Sequence, residues 1–113
     1  MAPTDSSLKQ LDLNLLAVLD ALLRERSVTR AAETLGTTQS AISHSLSRLR
    51  IFFDDALFVK ASGSMVPTRK AELLRQPVMD VMSTVRLQVL AEAGFHPERS
   101  RRTFVFAMTH VGV

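Results

Sequence analysis

"SVTRAAETLGTTQSAISHSL", residues 27–46, reads as two short helices meeting at a glycine. Ala32 is small, which suits a close crossing of two helices. Gly36 follows four residues on, where a tight turn needs a positive φ that glycine adopts without steric cost. Ile42 comes six residues further, where the second helix must turn back into a core. Hydroxyl side chains stand where helix starts need acceptors: Ser27 or Thr29 before the first helix and Thr38 before the second. This spacing of alanine, glycine and isoleucine is that of a helix-turn-helix.

The neighbouring segments extend the pattern. Residues 1–10 read as a polar lead-in. Asp12 caps an upstream helix running through Arg26, in which Leu15, Leu16, Leu19, Leu22 and Leu23 make one apolar stripe. Downstream, the helix begun at Thr38 continues to about Phe53, and Asp54-Asp55 breaks it. "LFVK" and "SMVP" are short β-prone runs around "ASG", which predicts a small hairpin. After Pro67-Thr68 a long helical pattern carries Leu74, Val78, Val81, Met82, Val85 and Val89. Pro77 removes one backbone donor and is expected to kink that helix. Gly94 stops it, "ERSRR" is a charged linker, and "TFVFAMT" alternates like a strand. One strand cannot bury itself, so a larger second domain is expected beyond it.

The expected architecture is therefore mainly α: a winged helix-turn-helix with a two-stranded wing, followed by a long linker helix. The winged helix-turn-helix unit is placed at residues 11–68, the linker helix at 69–93, a hinge at 94–102 and the first strand of a further domain at 103–113.

Composition narrows the functional classes. At 113 residues the chain suffices for one small domain, and an apolar content of 46% predicts a folded core rather than disorder. The net charge is +3 and the pI about 10.2, which permits a nucleic-acid partner. Ala56 to Ala71 holds Lys60, Arg69 and Lys70 without an acid. There is no cysteine, which excludes disulfides and thiolate metal sites. His44, His96 and His110 are too scattered for a zinc pair, so no metal or cofactor is expected. The start lacks a signal peptide's pattern and "LLAVLDALL" is short and broken by Asp20, so no membrane partner is expected. No nucleophile–base pair or glycine-rich phosphate loop points to an enzyme. A soluble cytoplasmic, nucleoid-associated protein is the expectation.

The outward side of the helix after Gly36 carries Gln39, Ser40, Ser43, His44, Ser47 and Arg48 instead of the usual Glu and Lys. A solvated surface would look similar taken alone. Between a helix-turn-helix signature and a hairpin, it matches a recognition helix entering a major groove roughly 12 Å wide. Short hydroxyls at Ser40 and Ser43 allow close approach. Gln39 can bond both N6 and N7 of adenine, and His44 can donate to a base edge or a phosphate. Thr38 and the free N–H groups behind it can hold a phosphate oxygen, and Arg30 and Arg48 can flank the groove. Self-association through the Val/Met stripe is expected, because the sequence offers little else to cover it. The rival reading is a helical dimerisation or adaptor module without DNA binding, which would not need the small polar side at 39–47.

"DLNLLAVLDALLRERSVTRAAETLGTTQSAISHSLSRLR", followed by "LFVK" and "VPTRKA", resembles the N-terminal domain of LysR-type transcriptional regulators over roughly residues 11–93. The DLNLL opening, "LFVK", "PT" and "RTFVFAMT" look most like the branch regulating aromatic-compound degradation and nodulation genes. The resemblance implies base contacts from Gln39, Ser40, Ser43 and His44, and phosphate contacts from Arg30, Thr38, Arg48 and Lys60. It also implies a linker helix pairing two subunits, tetramers that bend promoter DNA, and an effector domain that binds a small-molecule inducer. Thr109 would lie at the edge of the inducer cleft. Many members have proline in place of Ser40 and arginine in place of His44, and glycine is common near Asp54 and after Ala71.

Overall fold

The computed structural model describes residues 5–94. The chain divides at Met79/Asp80 into two compact units. In the first, helices α1 (Asp5–Gln10), α2 (Leu13–Glu25), α3 (Val28–Leu35) and α4 (Gln39–Phe53) precede a two-stranded wing, β1 (Phe58–Ala61) and β2 (Ser64–Pro67). Helix α5 (Arg69–Thr84) begins in this unit and ends in the second. It passes into a π-helical turn, Val85–Val89, and the short α6 (Leu90–Glu92).

Local chemistry sets most helix ends. Asp12, Ser27 and Thr38 have extended backbones, and each side chain accepts a hydrogen bond from the N–H three residues on. Helix α3 closes on Gly36 at φ 67°, with the N–H of Thr37 donating to the carbonyl of Ala32 at 2.9 Å and that of Gly36 to Glu33 at 3.2 Å. That pair of bonds is a Schellman closure. The same device ends α4, with Asp54 in the left-handed position at φ 51°. The hairpin turns through Ser62 and Gly63, φ 54° and 77°. Two positive φ values make a type I′ turn, whose twist matches that of the strands.

The core of the first unit is built from Leu15, Val18, Leu19, Ala21, Leu22 and Leu23 of α2, Ala31 and Ala32 of α3, and Ile42, Leu46 and Leu49 of α4. Leu57, Phe58, Ala71 and Val78 are buried as well. Helices α2, α3 and α4 contact each other pairwise, so Ala32 and Ile42 lie where the spacing around Gly36 predicts. Asp20 is only 2% exposed and is neutralised by Arg24, whose Nε and Nη2 donate to Oδ2 at 3.3 and 3.1 Å.

Several expectations are revised. The polar lead-in contains a helix, α1, with no buried residue. Helix α5 includes Pro77 in its interior, and a π-helical turn that the sequence did not predict follows at Val85–Val89. The Val/Met stripe is not uniformly open. Val78 and Met82 are buried within the chain at 4% and 7% exposure, whereas Val81 and Val89 are exposed at 43% and 57%. Leu74 and Val85 are half-buried. The sequence pattern missed this because one helix can carry an inward and an outward apolar row side by side. Gly94 ends the described helical segment at φ 94°. The rest of the expected hinge, the strand at 103–113 and Thr109 lie outside the described residues.

Candidate nucleic-acid interface

Helix α4 is divided lengthwise. Ile42, Ser45, Leu46 and Leu49 are buried, and Gln39, Ser40, Ser43, His44, Ser47 and Arg48 are exposed. Residues four apart lie one above another on a helix. The exposed residues therefore form adjacent rows, Gln39–Ser43–Ser47 and Ser40–His44–Arg48. The buried side, pinned by Ile42 at 0% exposure, leaves both rows pointing outward. Thr38 heads the helix, with Oγ1 accepting from the Ala41 N–H at 3.1 Å. The N–H groups of the first turn have no acceptor within the helix and carry its positive dipole end.

Arg30 is exposed in the first turn of α3, and Lys60 is exposed on β1. Arg48 borders a shallow hollow together with Gln10, Ile51 and Phe52. The structure thus gathers Gln39, Ser40, Ser43, His44 and Arg48 on one side of one helix. It carries Arg30 and Lys60 on separate elements, and Thr38 at the head of α4.

The wing is held at its base by side chains that the sequence reading did not single out. Arg50 donates from Nε to the Ala56 carbonyl at 2.7 Å and from Nη2 to the Phe58 carbonyl at 3.0 Å. Asp55 Oδ2 accepts from the Leu57 N–H at 2.8 Å and from Thr68 Oγ1 at 2.7 Å. Thr68 in turn accepts from the Ala71 N–H at 3.3 Å, which caps α5, and donates its own N–H to the Leu57 carbonyl at 2.8 Å. These bonds hold Leu57 in the left-handed region at φ 64°, uncommon for a bulky residue, while its side chain is fully buried. The "RLR" and "LFVK" segments contain Arg50 and Phe58, but nothing in either announces the bond between them.

The Thr68 hydroxyl, the Leu57 N–H and, less strongly, the Lys70 charge hold the Asp55 carboxyl below its ordinary value of 3.8, against a smaller upward push from burial. A depressed carboxyl stabilises the fold above its unfolded pKa, and that contribution is lost as pH falls through the folded pKa. Acid below the ordinary carboxylate range should therefore loosen the base of the wing. Thermal melts from pH 6 to pH 3 are expected to fall more steeply for the wild type than for Asp55→Asn, which has no carboxylate to protonate. Parallel curves would remove Asp55 from this role.

Among the described residues no His/Asp/Glu group could hold a metal ion, and no helix is long and apolar enough to cross a membrane.

Residues 13–72 match the family model described as "Bacterial regulatory helix-turn-helix protein, lysR family". The chain is 45% identical to the HTH-type transcriptional activator NagR of Ralstonia sp. over 105 residues, covering 93% of this chain and 35% of that protein. It is 44% identical to Nodulation protein D 2 of Bradyrhizobium elkanii over 94 residues, 83% of this chain and 28% of that protein. It spans about a third of the length of these curated relatives. The BenM DBD, solved in complex with catB site 1 DNA, superposes with a TM-score of 0.65 at 23% identity. That match covers 73% of this chain and 92% of the other, and it supports the winged helix-turn-helix architecture.

Proposed function

The chain belongs to the lysR family of bacterial regulatory helix-turn-helix proteins, and from that premise we propose that it is the DNA-binding part of a sequence-specific transcriptional regulator. The observation that carries this reading is the split of α4: an apolar side locked into the core and a small polar side left open along the helix. Such a helix fits the major groove with its N-terminal residues at the base edges. Gln39, Ser40, Ser43 and His44 read bases. Arg30, Thr38, Arg48 and Lys60 meet phosphates, fix the register and make binding salt-dependent. The matched relatives are regulators, and a helical adaptor without DNA binding would leave the polar rows of α4 unexplained.

Double-stranded DNA and a second copy of the chain are the partners in this reading. Leu74, Val78, Val81, Met82, Val85 and Val89 form the pairing helix. Val81 and Val89 supply its open apolar surface, whereas Val78 and Met82 are already buried within the chain. A dimer would engage half-sites about one helical turn apart, or a multiple of that. Response to a small-molecule inducer, through Thr109 and an effector domain, belongs to the longer protein implied by the relatives' lengths. The site of action is the cytoplasm, on the nucleoid.

The test is Gln39→Ala. Binding-site selection from a randomised duplex library should show relaxed preference at one base position per half-site. The preferred sequence should lose about 1–3 kcal/mol there. An equal loss on every duplex would take Gln39 out of base reading.

A further inference from the structure

The register of the wing explains why Arg50 reaches it. The Phe58 N–H donates to the Ala56 carbonyl at 2.6 Å, away from β2, and Pro67 has no N–H to give. Bonded and non-bonded pairs alternate in an antiparallel ladder. The pair of Phe58 and Pro67, at the end of the register, is therefore a non-bonded one. This explains why proline is tolerated at 67, where no N–H is required. It also turns the Phe58 carbonyl away from β2, and Arg50 Nη2 meets it at 3.0 Å. The same guanidinium takes the Ala56 carbonyl at 2.7 Å. A planar fork is thus shared by two carbonyls at the root of β1, and Lys60 stands two residues beyond on the same strand.

We propose that Arg50 is a positioning residue for DNA binding: it clamps the root of β1 to α4 and so sets where Lys60 meets the phosphate backbone. The clamp acts through geometry, not through the charge of Arg50. Half-buried on α4, its guanidinium is committed to protein carbonyls. Asp55 and Thr68 separately fix Leu57, so the root of β1 is tied both to α4 and to the start of α5. The proposal rests on reading α4 and the wing as a DNA-binding surface.

The experiment compares wild type, Lys60→Ala, Arg50→Met, Arg50→Lys and the double variant Arg50→Met/Lys60→Ala. Each is titrated by fluorescence anisotropy against a duplex that the wild type selects from a randomised library. Salt is varied over about 50 to 200 mM, where phosphate contacts dominate the slope. Lys60→Ala should lower the slope of log affinity against log salt by about one. Arg50→Met should lower it by the same amount, and the double variant should lose nothing more. Arg50→Lys keeps the charge, but a single ammonium cannot hold two carbonyls as a guanidinium fork does, so it should also lose the contact. Where Arg50→Met fails to fold, as judged by circular dichroism, Arg50→Lys and its double with Lys60→Ala carry the comparison.

A wild-type slope for Arg50→Lys, or a drop of about two for the double variant, would mean that Arg50 meets phosphate itself, and would overturn the proposal. A lower melting temperature with an unchanged slope would reduce the clamp to a structural role and overturn it equally. An unchanged slope for Lys60→Ala would leave Arg50 nothing to act through. In that last case relaxed base preference in Gln39→Ala would still uphold DNA reading by α4, so the two failures are separable.

Discussion

Replacing Ile42 with alanine is expected to destabilise the protein by about 2–5 kcal/mol, the usual range for truncating a fully buried isoleucine. A domain of this size is stable by only about 5–10 kcal/mol, so this is a large share. Ile42 is 0% exposed and faces inward from the helix that presents the polar rows. Its side chain shares a cleft with Val18 of α2 and Leu35 of α3, so the cavity would open where the three helices meet. Urea denaturation followed by circular dichroism should show a lower midpoint with an unchanged slope. At a temperature where the variant stays folded, its base preference should match the wild type, because Ile42 touches no DNA in this account. A loss under about 1 kcal/mol would mean that the site collapses or was never packed.

Ser43→Glu is expected to act in the opposite way, leaving the fold intact and abolishing specific DNA binding. Ser43 is exposed mid-row between Gln39 and Ser47, and glutamate forms helix at least as readily as serine. In a groove bounded by phosphates, a new carboxylate meets like charge at close range, which costs several kcal/mol. A loss of about 3 kcal/mol is roughly 100-fold in affinity. Ser6→Glu, on the exposed α1, makes the same change in net charge and should have little effect. Equal losses from the two variants would point to overall charge rather than groove entry. No loss from Ser43→Glu would place this side of α4 away from DNA.

The parts of the fold legible in the sequence are those that local chemistry decides. A cap spans three residues, a Schellman turn five or six, and a two-residue hairpin announces itself through residues that tolerate positive φ. Asp12, Ser27, Gly36, Thr38 and Ser62-Gly63 all fall in this class, and so does the helical period that separates Ile42, Leu46 and Leu49 from the polar rows. Arg26, Asp54 and Leu57 were not legible, because each occupies the left-handed region without being glycine. Nor was Arg50, whose partners lie six and eight residues away, or the bond between Asp55 and Thr68, thirteen residues apart. Those contacts exist only once the wing has folded back against α4 and α5 has begun. For a related reason the pattern did not separate Val78 and Met82, which the chain covers, from Val81 and Val89, which it leaves open. Periodicity marks apolar residues on a helix but does not say which of them the chain itself will cover.

The sequence has no cysteine, so a single engineered thiol is a unique point of attachment. Ser43→Cys carrying a tethered DNA-cleaving reagent, bound to a selected duplex, tests most directly whether the hydroxyl-lined side of α4 enters the groove. The account predicts strong cuts confined to the major groove of each half-site, in clusters about one helical turn apart or a multiple of it. Absent or uniformly weak cleavage from position 43, with strong cleavage from the same reagent at an Asp5→Cys site, would contradict it.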